Sequence, residues 1–322
     1  MCFHKPLLLL GLRKHKLQPK DAFHEEIKRR NNILKCFYHN DLDGRCAGSI
    51  VAQYENNYNK EDFFEVDYIM QLPLDKIKEN EKVYFVDYSF KKDTVWQLEE
   101  ILKKTKNIIW IDHHTSSLKL EEELPWTKDI KGIRQEGISG AGLTYMYLYD
   151  VEFDDLPYYI QFVSDYDCWQ FKYEPNTTYF KIGIEMQNYD ALDDVWKALY
   201  ESFEDDVCLS ISEGSIIEDG KIIKQYIDKD NELYRSNYSY ETEIEGLKCL
   251  VVNKRTNSWI FGNKINEYPV VMVWVFNGTK YSYSIFSSDT NIDCSKIAEK
   301  YGGGGHKGAA GFSSDKLFFK KV

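Results

Sequence analysis

The sequence predicts an α/β fold in which a domain with a parallel sheet is followed by a helical linker and a smaller α/β domain. From residue 33 onward, apolar runs typical of buried strands alternate with segments that have helical spacing, an order characteristic of parallel α/β sheets. Strand-like runs resume after a long charged helical stretch. The chain has 322 residues, and because single cores rarely grow beyond ~250–300 residues, two domains are expected.

The first domain is predicted over residues 33–190. Its strands are expected where short apolar runs occur, at residues 33–38, 63–70, 83–86 and 107–111. The segment after Gly44 carries small residues at positions 46–49, which let a helix pack closely against a sheet. Further helices are predicted at residues 94–102, 141–149 and 155–165.

The remainder of the chain is expected to form a linker and a second domain. Residues 191–235, which are charged and helical in spacing, are predicted to be the linker. The smaller domain is predicted over residues 236–322, with strands at 247–252, 270–276 and 281–286 and a helix at about 295–301. Residues 1–32 are mixed and basic, and they are predicted to be an N-terminal extension.

Charge and cysteine content narrow the class of protein. The formal net charge of −11 argues against a protein that coats long duplex nucleic acid, because such proteins bind through basic faces. An acidic enzyme can still hold a small phosphorylated substrate if metal ions supply positive charge. The seven cysteines are scattered and form no C-x-x-C pair, which favours free thiols in a reducing, cytoplasmic compartment. No apolar run approaches the ~20 residues that span a bilayer, so no membrane partner is expected.

Four polar clusters follow four apolar stretches. The stretches end near residues 38, 86, 111 and 163, and the clusters that follow are His39-Asn40-Asp41-Leu42-Asp43-Gly44, Asp87, Asp112-His113-His114, and Asp165 with Asp167. In parallel α/β sheets, ligands bind beyond the carboxyl ends of the strands. If the strands are parallel, these side chains converge on one edge, with the fourth cluster joining from a helix end.

The clusters together favour a metal site over separate structural roles. Taken singly, each could be a turn, a helix cap or a solvated loop. Their occurrence in order at four element ends makes that combination improbable. Carboxylate and imidazole together suit a first-row divalent ion such as Mn²⁺. The supply of ligands suffices for two ions, which at about 3.5–4 Å apart can clamp both oxygens of a phosphoryl transfer.

A glycine-rich segment near residue 303 is the second functional signal. It comprises Gly303, Gly304, Gly305, His306 and Lys307 and is followed by Gly308-Ala309-Ala310-Gly311-Phe312. Glycines bring backbone N–H groups close to an anion, and His306 and Lys307 add charge-assisted donors. A flexible linker is the alternative, but the residues that follow do not fit a linker.

These motifs resemble the four signature motifs of the DHH phosphoesterase superfamily. The glycine-rich segment resembles the signature of the DHH-associated C-terminal domain, as in nano-RNase or oligoribonuclease-like members. The resemblance covers roughly residues 33–320. It implies a metal-binding DHH domain, a helical linker, and a smaller substrate-binding domain that faces the DHH domain across a cleft.

The resemblance also implies residue roles. Two Mn²⁺ ions are expected, with Mg²⁺ or Co²⁺ as alternatives. The first ion would be held by His39 and Asp41, the second by Asp43, His113 and Asp165, and both by a bridging Asp87. Asp112 would orient a ligand and His114 would touch phosphate, so these two are the candidate catalytic residues. Gly303, Gly304, Gly305, His306 and Lys307 would bind substrate.

The activity implied is a Mn²⁺-dependent phosphodiesterase or exonuclease for short oligoribonucleotides or dinucleotides. Alternatives are a phosphomonoesterase for 3′-phosphoadenosine 5′-phosphate, a polyphosphatase, a cyclic-dinucleotide phosphodiesterase and a non-catalytic nucleotide sensor. The intact ligand set argues against the sensor.

Two departures from the family pattern affect substrate binding. Many nano-RNase-like members have an arginine in the strand before the glycine-rich segment, where this chain has Tyr283-Ser284-Ile285-Phe286. Lys307, Lys254 or Arg255 is expected to replace it as the phosphate clamp. In addition, His39 stands only two residues before Asp41, which is closer than in several subfamilies.

Overall fold

The computed structural model describes residues 34–68, 70–204 and 212–317, and the chain divides into two compact units between Glu218 and Asp219. The predicted N-terminal extension, residues 1–32, lies outside the described residues. Among the helices that are described, none combines the length and apolar character needed to cross a membrane. The cysteines within the described ranges that could be assessed are free: Cys36, Cys46, Cys168, Cys249 and Cys294.

The first unit is built on a four-stranded sheet with the order β2-β1-β3-β4. The strands are β1 (Leu34–His39), β2 (Phe63–Val66), β3 (Lys82–Val86) and β4 (Ile108–Ile111). All neighbouring pairs are parallel, which confirms the predicted parallel sheet. β2 ends earlier than the predicted residue 70, because the backbone N–H of Met70 donates to the carbonyl of Asp67 at 3.0 Å and turns the chain.

Helices connect and cover these strands. They are α1 (Leu42–Glu55), α2 (Val95–Lys104), α3 (Thr115–Glu123), α4 (Gly140–Tyr149), α5 (Tyr158–Asp167), α6 (Asn176–Ile184) and α7 (Asp194–Glu204). The long helix α8 (Glu213–Tyr238) begins in the first unit and lies mostly in the second. The helices expected after Gly44 and at 94–102, 141–149 and 155–165 are confirmed. α3 and α6 were not predicted, since α3 buries only Ser117 and Leu120 and α6 begins with the weak helix formers Asn and Thr.

Both faces of the first sheet are buried. Alternate strand residues point to opposite faces: Cys36 and Tyr84 belong to the core that includes α1, α4 and α5, whereas Phe37 and Phe85 belong to the core that includes α2. A sheet covered on both faces requires strands that are apolar throughout. Only the strand ends are left for polar chemistry, which is why the functional residues follow the strands.

The second unit contains a six-stranded sheet with the order β5-β6-β7-β8-β10-β9. Its strands are β5 (Ser239–Ile244), β6 (Leu247–Asn253), β7 (Val270–Phe276), β8 (Tyr281–Phe286), β9 (Gly304–Gly305) and β10 (Ala309–Ser314), and its helix is α9 (Cys294–Glu299). β6 and β7 are parallel, and the other neighbours are antiparallel. The predicted β6, β7, β8 and α9 are confirmed. β5, β9 and β10 were missed, because alternating polar residues and glycines hide their strand character.

Candidate metal centre

Polar side chains from three parallel strands meet at the carboxyl edge of the first sheet. β1 ends at His39 and is followed by Asp43, β3 is followed by Asp87, and β4 is followed by His113 and His114. The Nε2 atom of His113 lies 3.3 Å from Oδ1 of Asp87 and 3.7 Å from Oδ2 of Asp43. The Nδ1 atom of His39 lies 3.9 Å from Oδ2 of Asp87. The structure thus brings the first three predicted clusters together.

Asp87 lies at the centre of this arrangement. Its side chain is 1% exposed, and neither carboxylate oxygen has a hydrogen-bond partner among the described residues. Two groups that could hold a metal ion share it, namely Asp87 with His113 and His114, and Asp87 with His39 and Asp41. Its backbone has φ +53°, a conformation that non-glycine residues adopt sparingly and that often marks functional sites.

At the carboxyl edge of the first sheet, burial and mutual repulsion disfavour the ionised form of the carboxylates unless a positive charge lies nearby. Burial raises the pKa of Asp87 well above its usual range, and the charges of Asp43 and Asp41 raise it further. Burial and the charge of Asp43 likewise raise the pKa of Asp167 to about 7. Burial lowers the pKa of His113, but contact with Cys168 and the charge of Asp43 outweigh it and bring that pKa to about 10.

These residues fit divalent metal ions. Unpartnered buried oxygens are rare in folded proteins because they are costly, and Asp87 presents two of them while Asp167 presents a third, Oδ2. Cations bound among clustered carboxylates relieve the repulsion between them and supply the partners that their oxygens lack. The mixed imidazole and carboxylate donors match the preference of first-row ions.

Helix starts fix the two aspartates that follow β1. Oδ1 of Asp41 accepts from the backbone N–H of Gly44 at 2.9 Å and so caps α1, while Oδ2 lies 2.7 Å from Nδ1 of His39. Asp43 accepts from the backbone N–H groups of Gly140 at 2.6 Å and Ala141 at 2.9 Å. These two donors belong to the first turn of α4, whose dipole stabilises a negative charge.

Asp112 holds the ring of His114. It is fully buried, its Oδ1 lies 2.7 Å from Nδ1 of His114, and its Oδ2 accepts from the hydroxyl of Ser117. Because both of its oxygens are engaged, the Asp112 carboxylate can fix the orientation of the His114 ring. The pairing matches the orienting role that the resemblance implies for Asp112, and that role stays a prediction.

The fourth cluster differs from the sequence prediction in which aspartate reaches the site. The carboxylate of Asp165 accepts from the backbone N–H groups of Lys172 at 2.8 Å and Tyr173 at 3.2 Å and from the hydroxyl of Thr177. Within the described residues, Asp165 belongs to no group that could hold a metal. Oδ2 of Asp167 instead lies 3.3 Å from Nε2 of His113. Asp167, one half-turn further along α5, is therefore the aspartate of this cluster that lies beside His113.

Sequence reasoning also missed Gly140. A Cβ atom on this residue would lie 2.5 Å from Cβ of Asp87, so only glycine allows α4 to start against the central aspartate. The run Ser139-Gly140-Ala141-Gly142 was the available signal, because small residues at a helix start permit close approach.

The glycine-rich segment lies in the second unit. Gly304 and Gly305 form β9, which pairs with β10, and the backbone N–H of His306 donates to the carbonyl of Ala309 at 2.8 Å. A Cβ on Gly303 would lie 2.1 Å from the carbonyl oxygen of Gly311. The segment is thus a tight, exposed hairpin whose His306 and Lys307 side chains are exposed to solvent.

No family model matches this chain, but individual proteins do. It is 29% identical over 260 residues to an uncharacterised protein, R106, of Acanthamoeba polyphaga mimivirus, covering 77% of this chain and 58% of that protein. It is 25% identical over 310 residues to oligoribonuclease NrnB of Bacillus subtilis, covering 88% of this chain and 73% of that protein.

Solved structures share the fold. The DHH domain of a protein described as a member of a family of ribosomal proteins matches with a TM-score of 0.56 and 13% identity, over 91% of this chain and 85% of that one. A pGpG-specific phosphodiesterase, PggH, from Vibrio cholerae matches with a TM-score of 0.53 and 12% identity, over 88% of this chain and 93% of that one.

The similarity to NrnB and the shared fold of the DHH domain support the resemblance to DHH phosphoesterases. The chain spans just over half the length of the mimiviral relative, 58%. The strand arginine of many DHH proteins has no counterpart in β8, but β8 lines a cavity of about 360 Å³ that also contains Lys254 and Arg255. Lys254 binds Asp230, and also Asn231 at 3.1 Å. Arg255 is exposed.

Proposed function

We propose that this chain is a Mn²⁺-dependent phosphodiesterase that hydrolyses short oligoribonucleotides or dinucleotides, using two metal ions. One observation carries the proposal. Asp87 is buried and its carboxylate oxygens have no hydrogen-bond partner among the described residues, and it is shared by two neighbouring groups of possible metal ligands. A carboxylate that joins two ions has this arrangement, and paired ions are characteristic of phosphoryl-transfer enzymes.

The named activities of the relatives support the substrate class. NrnB is by name an oligoribonuclease, and PggH is by name specific for the dinucleotide pGpG. These activities belong to those proteins. Their common feature is a short chain with phosphodiester bonds, and this is the substrate class that we propose here.

Each residue has a proposed task. His39 and Asp41 would hold one ion, and Asp43, His113 and Asp167 would hold the other, with Asp87 between them. When bound, the two ions would neutralise charge that develops on the phosphate. Asp112 keeps the His114 ring in one orientation, so that His114 meets the phosphate without reorganisation. Gly303, Gly304, Gly305, His306 and Lys307 would bind the substrate through N–H groups and charge.

A panel assay tests the activity. The chain is incubated with Mn²⁺ and with pGpG, pentaadenylate, cyclic dinucleotides, 3′-phosphoadenosine 5′-phosphate or polyphosphate, and the products are separated. We expect the highest kcat/KM for pGpG and pentaadenylate and loss of turnover in EDTA. Preference for the bisphosphate nucleoside or for polyphosphate would replace the proposal by the corresponding phosphatase. Tight nucleotide binding without turnover would indicate a sensor.

The Asp87→Asn variant tests the metal assignment. We expect it to lose turnover and to bind less Mn²⁺ while its circular dichroism spectrum stays unchanged, because a bridging ligand serves both ions. Asp93→Asn, which changes an exposed aspartate, is the matched control and should behave as wild type. Near-normal turnover of Asp87→Asn at saturating Mn²⁺ would remove Asp87 from the centre.

A further inference from the structure

Three aromatic side chains cluster at the end of α5, next to the candidate metal centre. The rings of Tyr166 and Trp169 are stacked with centroids 6.3 Å apart, and Phe171 meets Trp169 edge-on at 5.3 Å. Trp169 is 75% exposed. We call these three residues the aromatic platform.

The backbone of the platform is strained. Trp169 and Phe171 both have φ +53°, in the left-handed region that bulky side chains rarely adopt. Such strain persists only where the surroundings enforce it, and it is concentrated at functional sites.

Asp165 enforces this conformation. Its carboxylate accepts from the backbone N–H groups of Lys172 and Tyr173, and its carbonyl accepts from Gln170 at 3.0 Å. The buried carboxylate that sequence analysis assigned to a metal therefore holds the segment that carries the exposed ring.

The platform adjoins the metal ligands. Asp167, whose Oδ2 lies 3.3 Å from Nε2 of His113, stands between Tyr166 and Trp169 in sequence. Tyr166 also lines a cavity of about 260 Å³ together with Asp41, Asp43 and Asp167. A phosphate bound at the metal ligands would consequently place its attached nucleoside within the neighbourhood of the rings.

We propose that the aromatic platform stacks on a nucleobase next to the scissile phosphate, with Trp169 as the main contact. Single exposed aromatic residues are common, so exposure alone does not carry this inference. The carrying observation is that a strained, carboxylate-braced segment presents three clustered rings beside the metal ligands. An aromatic ring can stack on any nucleobase, whereas polyphosphate has no base with which a ring could stack. The inference rests on the proposed function and adds to it the group that contacts the base of the substrate.

Two substrates separate base stacking from phosphate chemistry. They are pentaadenylate and a ribose–phosphate pentamer of the same length without bases. We expect Trp169→Ala to lower kcat/KM for pentaadenylate by about tenfold, the size of effect typical for one stacked base, and to leave the base-free pentamer unaffected. Trp169→Phe should retain most of the activity. The matched control is Trp96→Ala, which removes an exposed tryptophan from α2.

A binding measurement tests the platform independently of turnover. The probe is fluorescein-labelled, phosphorothioate-linked pentaadenylate, and Kd is read by fluorescence anisotropy in Mn²⁺. Trp169→Ala should weaken binding by a similar factor. Trp169→Gly should do the same without lowering Tm, since glycine relieves the positive φ. Equal Kd values for wild type and Trp169→Ala would overturn the platform whether or not the RNA is hydrolysed. Absence of hydrolysis by the wild type would overturn the proposed function alone.

Discussion

Two buried aspartates in the first unit, Asp87 and Asp165, differ in what surrounds their carboxylates. Asp165 receives two backbone donors and one hydroxyl, which satisfy a buried charge within the protein. Asp87 receives no hydrogen bond from the part of the chain that the structure describes. Because a buried carboxylate without hydrogen bonds is costly, this contrast supports the proposal that Asp87 binds cations whereas Asp165 has a structural role.

The pair Asp165 and Asp167 allows a direct test of that distinction. We expect Asp165→Asn to lower the free energy of unfolding by about 2 kcal/mol, since charge-assisted hydrogen bonds are lost, with the Mn²⁺ stoichiometry of the folded protein unchanged. Asp167→Asn should instead weaken Mn²⁺ binding without loss of stability. Urea denaturation and Mn²⁺ titration calorimetry measure the two effects. Reduced Mn²⁺ stoichiometry in folded Asp165→Asn would restore the sequence assignment.

The choice between these aspartates could not be made from sequence. Both follow the same apolar stretch at 159–163 and are only two residues apart, so their order along the chain does not separate them. The outcome depends on the donors at Lys172 and Tyr173, which come from a later loop. By contrast, the position of Asp87 and His113 at the sheet edge was predictable, because a parallel strand end fixes where the next residues lie.

At the scale of elements, the start of α4 fixes the space around Asp87, on which the proposed metal centre depends. Gly140 has no space for a side chain, as an added Cβ would lie 2.5 Å from Cβ of Asp87. We expect Gly140→Ala to displace Asp87 and to reduce kcat/KM on the order of 100-fold, the loss that a displacement of about 1 Å can cause.

Gly214→Ala is the control for that substitution. Gly214 also lies in the first turn of a helix, α8, but its added Cβ would meet only Ser212 at 3.9 Å, so activity should be unchanged and α8 slightly stabilised. Pre-steady-state and steady-state kinetics of both variants make the comparison. Full activity of Gly140→Ala would mean that the approach of α4 to Asp87 is not required.

Glu213 at the start of α8 predicts a pH dependence of stability. Burial raises its pKa from 4.5 to about 7, although a hydrogen bond from the backbone of Tyr159 opposes the shift. Between these two values the folded state binds more protons than the unfolded state, so stability falls as pH rises from 4.5 through 7. Allowing for solvent screening, the loss is about 1 kcal/mol.

The variant Glu213→Gln removes this titration. We expect it to flatten the dependence of Tm on pH between about 4.5 and 8 and to be more stable than wild type above about pH 7, because no buried charge forms. Thermal melts across the pH range provide the measurement. An unchanged slope in the variant would assign the pH dependence to another group.

The fold was more predictable in the first unit than in the second. The first sheet is buried on both faces, so its strands are continuous apolar runs that stand out in the sequence. In the second unit, β10 alternates between small exposed and buried residues, and β9 consists of two glycines. Their strand character comes from tertiary pairing, of β10 with β8 and of β9 with β10, which no local pattern contains.

At the scale of the whole molecule, the net charge bears on substrate length. A formal charge of −11 repels a long polyanion everywhere except where bound cations or basic side chains compensate. In the first unit, metal ions held by the proposed ligands would provide that compensation at the strand edge. A substrate with few phosphates therefore gains the attraction while avoiding most of the repulsion.

We therefore expect kcat/KM to be highest for RNA of about two to five nucleotides and to fall for chains of about twenty, because added phosphates meet an acidic surface. The dependence of kcat/KM on salt should be weak, because few phosphates are contacted. On a single strand, log K falls with log[salt] by about 0.7 for each phosphate contacted. Hydrolysis of an oligoadenylate series at several NaCl concentrations and saturating Mn²⁺ measures both quantities. The Asp93→Asn variant changes the net charge by one unit at an exposed residue that is not a proposed ligand, and it should leave the length preference unaltered.

The dependence of kcat/KM on chain length and its dependence on salt together distinguish the proposed enzyme from a processive exonuclease. A processive enzyme must hold many phosphates at once, so its activity on long single strands would equal or exceed that on short ones and would decline steeply with salt. An enzyme that binds only the phosphates beside the metal ligands instead loses little activity with salt at every length. Steep salt dependence together with efficient cleavage of long strands would therefore require a basic binding surface, and it would contradict a centre that is selective for short RNA.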